Sequence, residues 1–92
     1  MSVEVEALGV LKGRLGGKVC VSMAGRPVRL KDFLKQLRSE LPDLREAVEE
    51  DGTPTTSYLI FINGVDYRLL GGLEYRLRDK DEISLVPISH GG

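Results

Sequence analysis

Cysteine, histidine and tryptophan are almost missing from this chain: Cys20, His90 and no Trp in 92 residues. A single thiol excludes an intramolecular disulfide and suits a reducing compartment. One Cys and one His cannot assemble a metal site of the His/Cys type. Nor do they make a convincing nucleophile–base pair, because Cys20 falls in the middle of a strand pattern and His90 sits beside the closing glycines, where no rigid geometry is expected. The plain reading of Cys20 is a small apolar strand residue. An excess of one charge sign is also missing. Lys and Arg number 13 against 14 Asp and Glu, for a net charge of −1. Such a chain has no electrostatic footprint for a phosphate backbone or an anionic bilayer. No apolar run approaches the ~20 residues that a spanning helix needs. The alternating, acidic start Met1-Ser2-Val3-Glu4-Val5-Glu6 is unlike a signal peptide. These absences predict a small cytoplasmic domain that touches neither nucleic acid nor membrane.

What is present is enough apolar material, 41% of residues, for one core in one domain. Val3, Val5 and Ala7 alternate with Glu4, Glu6 and Leu8, the period of a half-buried strand. Gly13, Gly16 and Gly17 then supply a hairpin connection, and Val19, Val21 and Met23 alternate in a second strand that ends at Ala24-Gly25-Arg26-Pro27. From Leu30 the period changes. Leu30, Phe33, Leu34, Leu37 and Leu41 form one apolar stripe of a helix that Pro42 closes. Residues 43–57 form a looser acidic connection. Its Glu46, Glu49, Glu50 and Asp51 lack the spacing of a calcium loop and read as a solvated face. Tyr58 to Ile62 is an apolar run of β-formers, a strand covered on much of both faces. Asn63-Gly64 turns it into a short strand, Val65 to Arg68. Leu69 to Leu77 is irregular, bent at Gly71-Gly72 and pinned by Leu73 and Leu77. Asp79-Lys80-Asp81 is a turn, and Ile83, Leu85 and Pro87 lie in a last strand.

One amphipathic helix covers one face of a four- or five-stranded sheet, so the fold class is two-layer α+β. Compact chain paths that obey the crossover rule set the first and last strands side by side and parallel, with the helix across them. That is the β-grasp, or ubiquitin-like, arrangement. It predicts a β-grasp domain over residues 1–88 and a short tail over residues 89–92.

Gly-Gly occurs three times. Gly16-Gly17, read with Lys18, fails as a phosphate loop, because Lys12 stands where the leading glycine belongs and Val19 replaces the hydroxyl residue. Gly71-Gly72 is bend-forming. Gly91-Gly92 has nothing after it to turn back. A tail without side chains threads a channel too narrow for other residues and brings backbone close to backbone. Its terminal carboxylate is ionised at neutral pH. It can attack an α-phosphate, giving an activated carbonyl open to a thiol, a persulfide or an amine. The reactive group would then be the main-chain terminus itself, with no internal triad or bound cofactor.

Phe61-Ile62-Asn63-Gly64-Val65-Asp66-Tyr67, Leu69-Leu70-Gly71-Gly72-Leu73-Glu74-Tyr75-Arg76-Leu77, Asp79-Lys80-Asp81 and His90-Gly91-Gly92 resemble the ubiquitin-related modifier family. The likeness is close from Leu59 to Gly92 and one of pattern before that. Tyr67 departs from the Trp of eukaryotic members, and Val86-Pro87 is similar to the related small subunit of molybdopterin synthase. The blend also resembles archaeal small modifier proteins. The resemblance implies that an ATP-dependent, ubiquitin-activating-type enzyme adenylates Gly92, with ATP belonging to that partner. A rhodanese-like or cysteine persulfide then converts Gly92 to a thiocarboxylate. The sulfur passes to a tRNA-thiolation enzyme, and the same glycine can join target-protein lysines. Gly91 and His90 carry over as tail-recognition positions, and His90 takes no catalytic role.

Two alternatives stay open. One is a sulfur carrier dedicated to molybdopterin or thiamin synthesis. The other is a β-grasp interaction module with incidental terminal glycines. A carrier is expected to be monomeric when free. Its docking face is expected on the sheet side away from the helix, with Cys20, Ala24 and Val86 contributing, although a slip of one residue would invert that face. The basic residues Arg76, Arg78 and Lys80 near the final turn are a second candidate for partner contact.

Overall fold

The first alternating segment forms strand β1, Ser2–Ala7, with Val3, Val5 and Ala7 buried and Ser2, Glu4 and Glu6 half-exposed. A computed structural model describes residues 1–23 and 28–88 of the chain. Five strands make one sheet: β1, β2 (Lys18–Ser22), β3 (Tyr58–Ile62), β4 (Val65–Asp66) and β5 (Glu82–Pro87), in the order β2-β1-β5-β3-β4. The central pair, β1 and β5, is parallel, with Val5 beside Ile83 and Ala7 beside Leu85. Every other pairing is antiparallel. The expected adjacency of the first and last strands is therefore what the chain adopts.

The main helix, α2, runs from Leu30 to Glu40 and buries Leu30, Phe33, Leu34 and Leu37 against the sheet. Opposite them lie Val3, Val5, Ile60, Ile62, Ile83 and Leu85, all nearly inaccessible to solvent. Leu41 leaves helical geometry just before Pro42, as the clash of the proline ring with the preceding residue requires. A 3-10 turn, Pro42–Glu46, then places Leu44 in the core. Arg38 Nε donates to the Val48 carbonyl at 2.9 Å, fastening the acidic connection to α2. At Gly52 (φ +90°) a Cβ would lie 2.5 Å from the Lys31 carbonyl oxygen, so only glycine lets the loop pass this close to the helix.

Two sequence expectations need correction. Between β1 and β2 there is no direct hairpin but a short helix, α1, Val10–Leu15, ended by Gly16 in the left-handed conformation. Leu11 explains it: helical geometry puts this side chain wholly in the core, a gain that a solvent-facing turn forgoes. The return strand after Asn63-Gly64 is two residues long. Asp66 Oδ1 accepts the Arg68 N–H at 2.9 Å, a local cap that diverts the backbone into the 3-10 turn Tyr67–Leu70. Leu77 is fully buried and Leu73 partly so, as expected of the irregular stretch.

Candidate functional site

The register decides which side chains share the sheet face away from α2. Cys20, Glu4 and Glu82 stand in one row across β2, β1 and β5. Lys18, Glu6, Ser84, Phe61 and Asp66 form the next row. Val86 and Leu59 form the row beyond, with Leu8 continuing the alternation of β1 beside them. The face thus changes character along the strands. Acidic and polar at the start of β5, it becomes apolar where β5 ends. Leu59, Phe61 and Val86 are half-buried only, because none of the described helices covers this side.

The apolar end lies beside the root of the tail. Tyr58 pairs with Pro87, and the Ile88 N–H donates to the Ser57 carbonyl at 2.8 Å. On the other flank the Leu8 N–H donates to the Leu85 carbonyl at 3.0 Å. Gly9 (φ +71°) closes the same corner. A Cβ there would lie 2.7 Å from Pro87 Cγ, a contact that requires a residue without a side chain. The last strand therefore leaves the sheet from a fixed point, held by backbone bonds on both sides.

Of the residues singled out from sequence, Cys20 is exposed on the open face, and Val86 lies two strands away on the same side. Ala24 falls outside the described residues, as do His90, Gly91 and Gly92 and the whole segment 89–92. Arg76, Arg78 and Lys80 are exposed but precede β5, at the end opposite the tail root. Five steps of ~3.3 Å along β5 separate the two ends by about 17 Å. The apolar end, and not the basic turn, is therefore the surface next to the tail root.

Sequence reasoning missed Leu59 and Phe61 as face residues. The unbroken apolar run Tyr58–Ile62 carries no alternation from which to read a side. It also missed Asp81, which is 5% exposed at the start of β5. Its Oδ2 accepts from Tyr75 Oη and from the Arg78 N–H, both at 2.8 Å, and its Oδ1 accepts from Asn63 Nδ2 at 2.9 Å. Burial and the Asp81 bond push the Tyr75 hydroxyl above its ordinary pKa. At the edge of the open face, hydrogen bonds from the Arg68 side chain and backbone hold the Asp66 carboxyl down to about 2. Among the described residues no group of three His, Cys, Asp or Glu side chains is placed to hold a metal ion, and no helix is long and apolar enough to cross a membrane.

A mixed five-stranded sheet with a parallel central pair, one crossing helix, and a last strand that emerges from the middle of the sheet defines a ubiquitin-like protein of the β-grasp class. Within that class the chain belongs to the ubiquitin-related modifier family, whose model, Urm1 (Ubiquitin related modifier), matches residues 3–92. Ubiquitin-related modifier 1 of Laccaria bicolor is 41% identical over 76 residues, covering 82% of this chain and 62% of the fungal one. The alignment thus spans a little under two thirds of that relative. Ubiquitin-related modifier 1 of Homo sapiens is 33% identical over 100 residues, covering 100% of this chain and 96% of the human one. The solution structure of the small archaeal modifier protein 1 from Methanosarcina acetivorans superposes with a TM-score of 0.77 at 31% identity, over 99% of this chain and 96% of that one. Relatives of this kind are modifiers rather than enzymes.

Proposed function

We propose that this chain is a sulfur carrier and protein modifier whose reacting group is the carboxylate of Gly92, taken as the last residue of the mature protein. One observation carries the reading: in a member of this family, β5 leaves the sheet at a fixed corner, Pro87–Ile88, four residues before Gly92. The body is a handle. It presents a narrow tail beside an apolar surface of Leu59, Phe61 and Val86 on which an adenylating partner docks.

The chemistry follows from the carboxylate. An oxygen of Gly92 attacks the α-phosphorus of ATP bound by the partner, displacing pyrophosphate and leaving an acyl-adenylate. A persulfide on a rhodanese-like or cysteine-based donor attacks the carbonyl and releases AMP. A second thiol then cleaves the resulting acyl disulfide, leaving the Gly92 thiocarboxylate and an oxidised donor pair. The thiocarboxylate hands its sulfur to a tRNA-thiolation enzyme, and the acyl-adenylate or its thioester can alternatively be attacked by a target lysine. Gly91 keeps the channel-spanning segment free of side chains, and His90 is a recognition residue at its mouth. On this reading the carrier works in the cytoplasm, free and monomeric between encounters.

Intact-mass measurement on protein purified from its native cells tests the reading. A species heavier by the difference between sulfur and oxygen, located at Gly92, is the expected result. Persistent absence of both that species and Gly92–lysine linkages, in cells that express the adenylating enzyme, would overturn it.

A further inference from the structure

A second surface lies on the other side of the sheet, at its far edge. Among the described residues β2 pairs with β1 alone. The Met23 N–H donates to Met1 O at 2.7 Å and the Ala7 N–H to Gly17 O at 3.3 Å. In an antiparallel ladder the bonding direction alternates, so Val19 and Val21 direct their backbone groups toward β1. Lys18, Cys20 and Ser22 direct theirs outward, with no neighbouring strand among the described residues to meet them.

Next to this free edge, between β2 and α2, runs a groove of about 380 Å³. Val21, Met23, Val28, Phe33 and Leu37 form its apolar floor. Asp32, Gln36 and Glu40, at every fourth position of α2, form its outer wall. Gln36 Nε2 donates to Glu40 at 2.9 Å, which orients the wall without neutralising it. Arg29 meets Asp32 at 2.9 Å but is shared with Glu74 at 3.0 Å, so that trio keeps one negative charge in excess. The groove is therefore apolar below, acidic along one wall, and bounded on the other side by unused strand hydrogen bonds.

We propose that this groove takes an extended basic–apolar peptide segment of a partner protein, added to the sheet as a strand against β2. Three features choose that occupant. Main-chain groups at Lys18, Cys20 and Ser22 match a strand and not a helix. Because side chains alternate along a strand, every second residue of the guest drops onto Val21, Phe33 and Leu37. Lysine or arginine at its flank meets Asp32 and Glu40. A second copy of this chain is disfavoured, since edge-to-edge pairing through β2 would bring two acidic Asp32–Gln36–Glu40 walls face to face. The groove lies on the helix side of the sheet and the tail-root surface on the other, so a guest here leaves Gly92 free to react.

Selection of a phage-displayed random decapeptide library on the full chain, followed by amide chemical-shift mapping with the enriched peptides, tests the proposal. The expected consensus alternates apolar residues with Lys or Arg, and its shifts cluster on Lys18–Met23 and on the Asp32–Glu40 side of α2. Glu40→Lys should weaken binding by about 3–10-fold, the scale of an exposed ion pair replaced by a repulsion. Ser22→Pro removes one outward N–H, a change that an edge strand tolerates, and should abolish binding while the remaining amide spectrum stays native. No enriched peptide, a consensus without basic residues, or shifts confined to Leu59, Phe61 and Val86 would each overturn the proposal.

Discussion

Asn63 and Asp81, eighteen residues apart in the chain, clasp one end of the β3–β5 pairing, beside Ile62 and Ile83. Asn63 Nδ2 donates to Asp81 at 2.9 Å while Asn63 Oδ1 accepts the Glu82 N–H at 2.9 Å. The backbone closes the ring, since the Asn63 N–H donates to Glu82 O at 2.8 Å. A turn residue at positive φ (52°) and a buried carboxylate thus fix where β5 begins, and with it the register that carries the tail.

Replacing Asp81 by Ala should therefore cost more than its small volume suggests. Asn63 Nδ2, Tyr75 Oη and the Arg78 N–H would lose their shared acceptor in a part-buried site. Each buried group left unsatisfied costs about 1–3 kcal/mol, and water entry will relieve part of it, so a net loss of about 2–4 kcal/mol is expected in urea unfolding. Asp81→Asn keeps an acceptor oxygen and should lose less. Equal losses for the two variants would show that a single retained acceptor oxygen rescues nothing.

Gly9 and Gly13 make a contrasting pair. Gly9→Ala forces a side chain into a glycine-only conformation and against Pro87, for a loss of about 1–3 kcal/mol. Because Pro87 is the tail root, adenylation should slow as well, although Gly92 is untouched. At Gly13 an added methyl would meet nothing within 4 Å, the residue has no positive φ, and it lies inside α1. Gly13→Ala should stabilise by about 0.5–1 kcal/mol and leave adenylation alone. Thermal melts and a pyrophosphate-exchange assay on both variants check the pair.

These two glycines also show where sequence reading stops. Val3-Val5-Ala7 and Leu30-Phe33-Leu34-Leu37 announced their elements because burial on one side imprints a period on the chain. Gly13, Gly16 and Gly17 looked like a hairpin because glycine reports backbone freedom and not its use. Only the core position waiting for Leu11 converts that stretch into a helix. Gly9 and Asp81 were silent for a related reason: their partners Pro87, Asn63 and Tyr75 come from distant segments. The proposed tail chemistry could be formulated from sequence because it depends on the main chain alone, whereas the proposed docking face needed the register.

Two titrations bound the stability window. Asp66 has a folded pKa of about 2, lowered by Arg68, against an ordinary value of ~3.9. Its contribution is complete above the higher value and is lost as pH falls from about 4 to about 2. Tyr75 is shifted the opposite way, upward through burial and Asp81. Its contribution is complete below ~10 and is lost as pH rises beyond that toward the folded value. Urea midpoints for Asp66→Asn and Tyr75→Phe against pH check both signs: the first should flatten the acid limb, the second the alkaline limb. Added salt should weaken the Asp66 effect, because the pair is exposed to solvent.

The two candidate docking surfaces give opposite forecasts for the adenylation reaction. If the apolar end beside the tail root meets the activating enzyme, Leu59→Glu or Val86→Glu places an unpaired charge in the dry centre of the contact. Losses at such central positions reach about 2 kcal/mol or more, equivalent to a rise in KM of about 30-fold. Charge reversal at Arg78 or Lys80, about 17 Å away along β5, should change KM by no more than about 2–5-fold, the scale of a rim or steering charge. Both substituted side chains on the open face are only half-buried, so the fold survives the change, and circular dichroism on each variant verifies it. A larger effect from Arg78→Glu than from Leu59→Glu would move the docking surface to the charged turn and require the partner to reach across the whole length of the strand to Gly92.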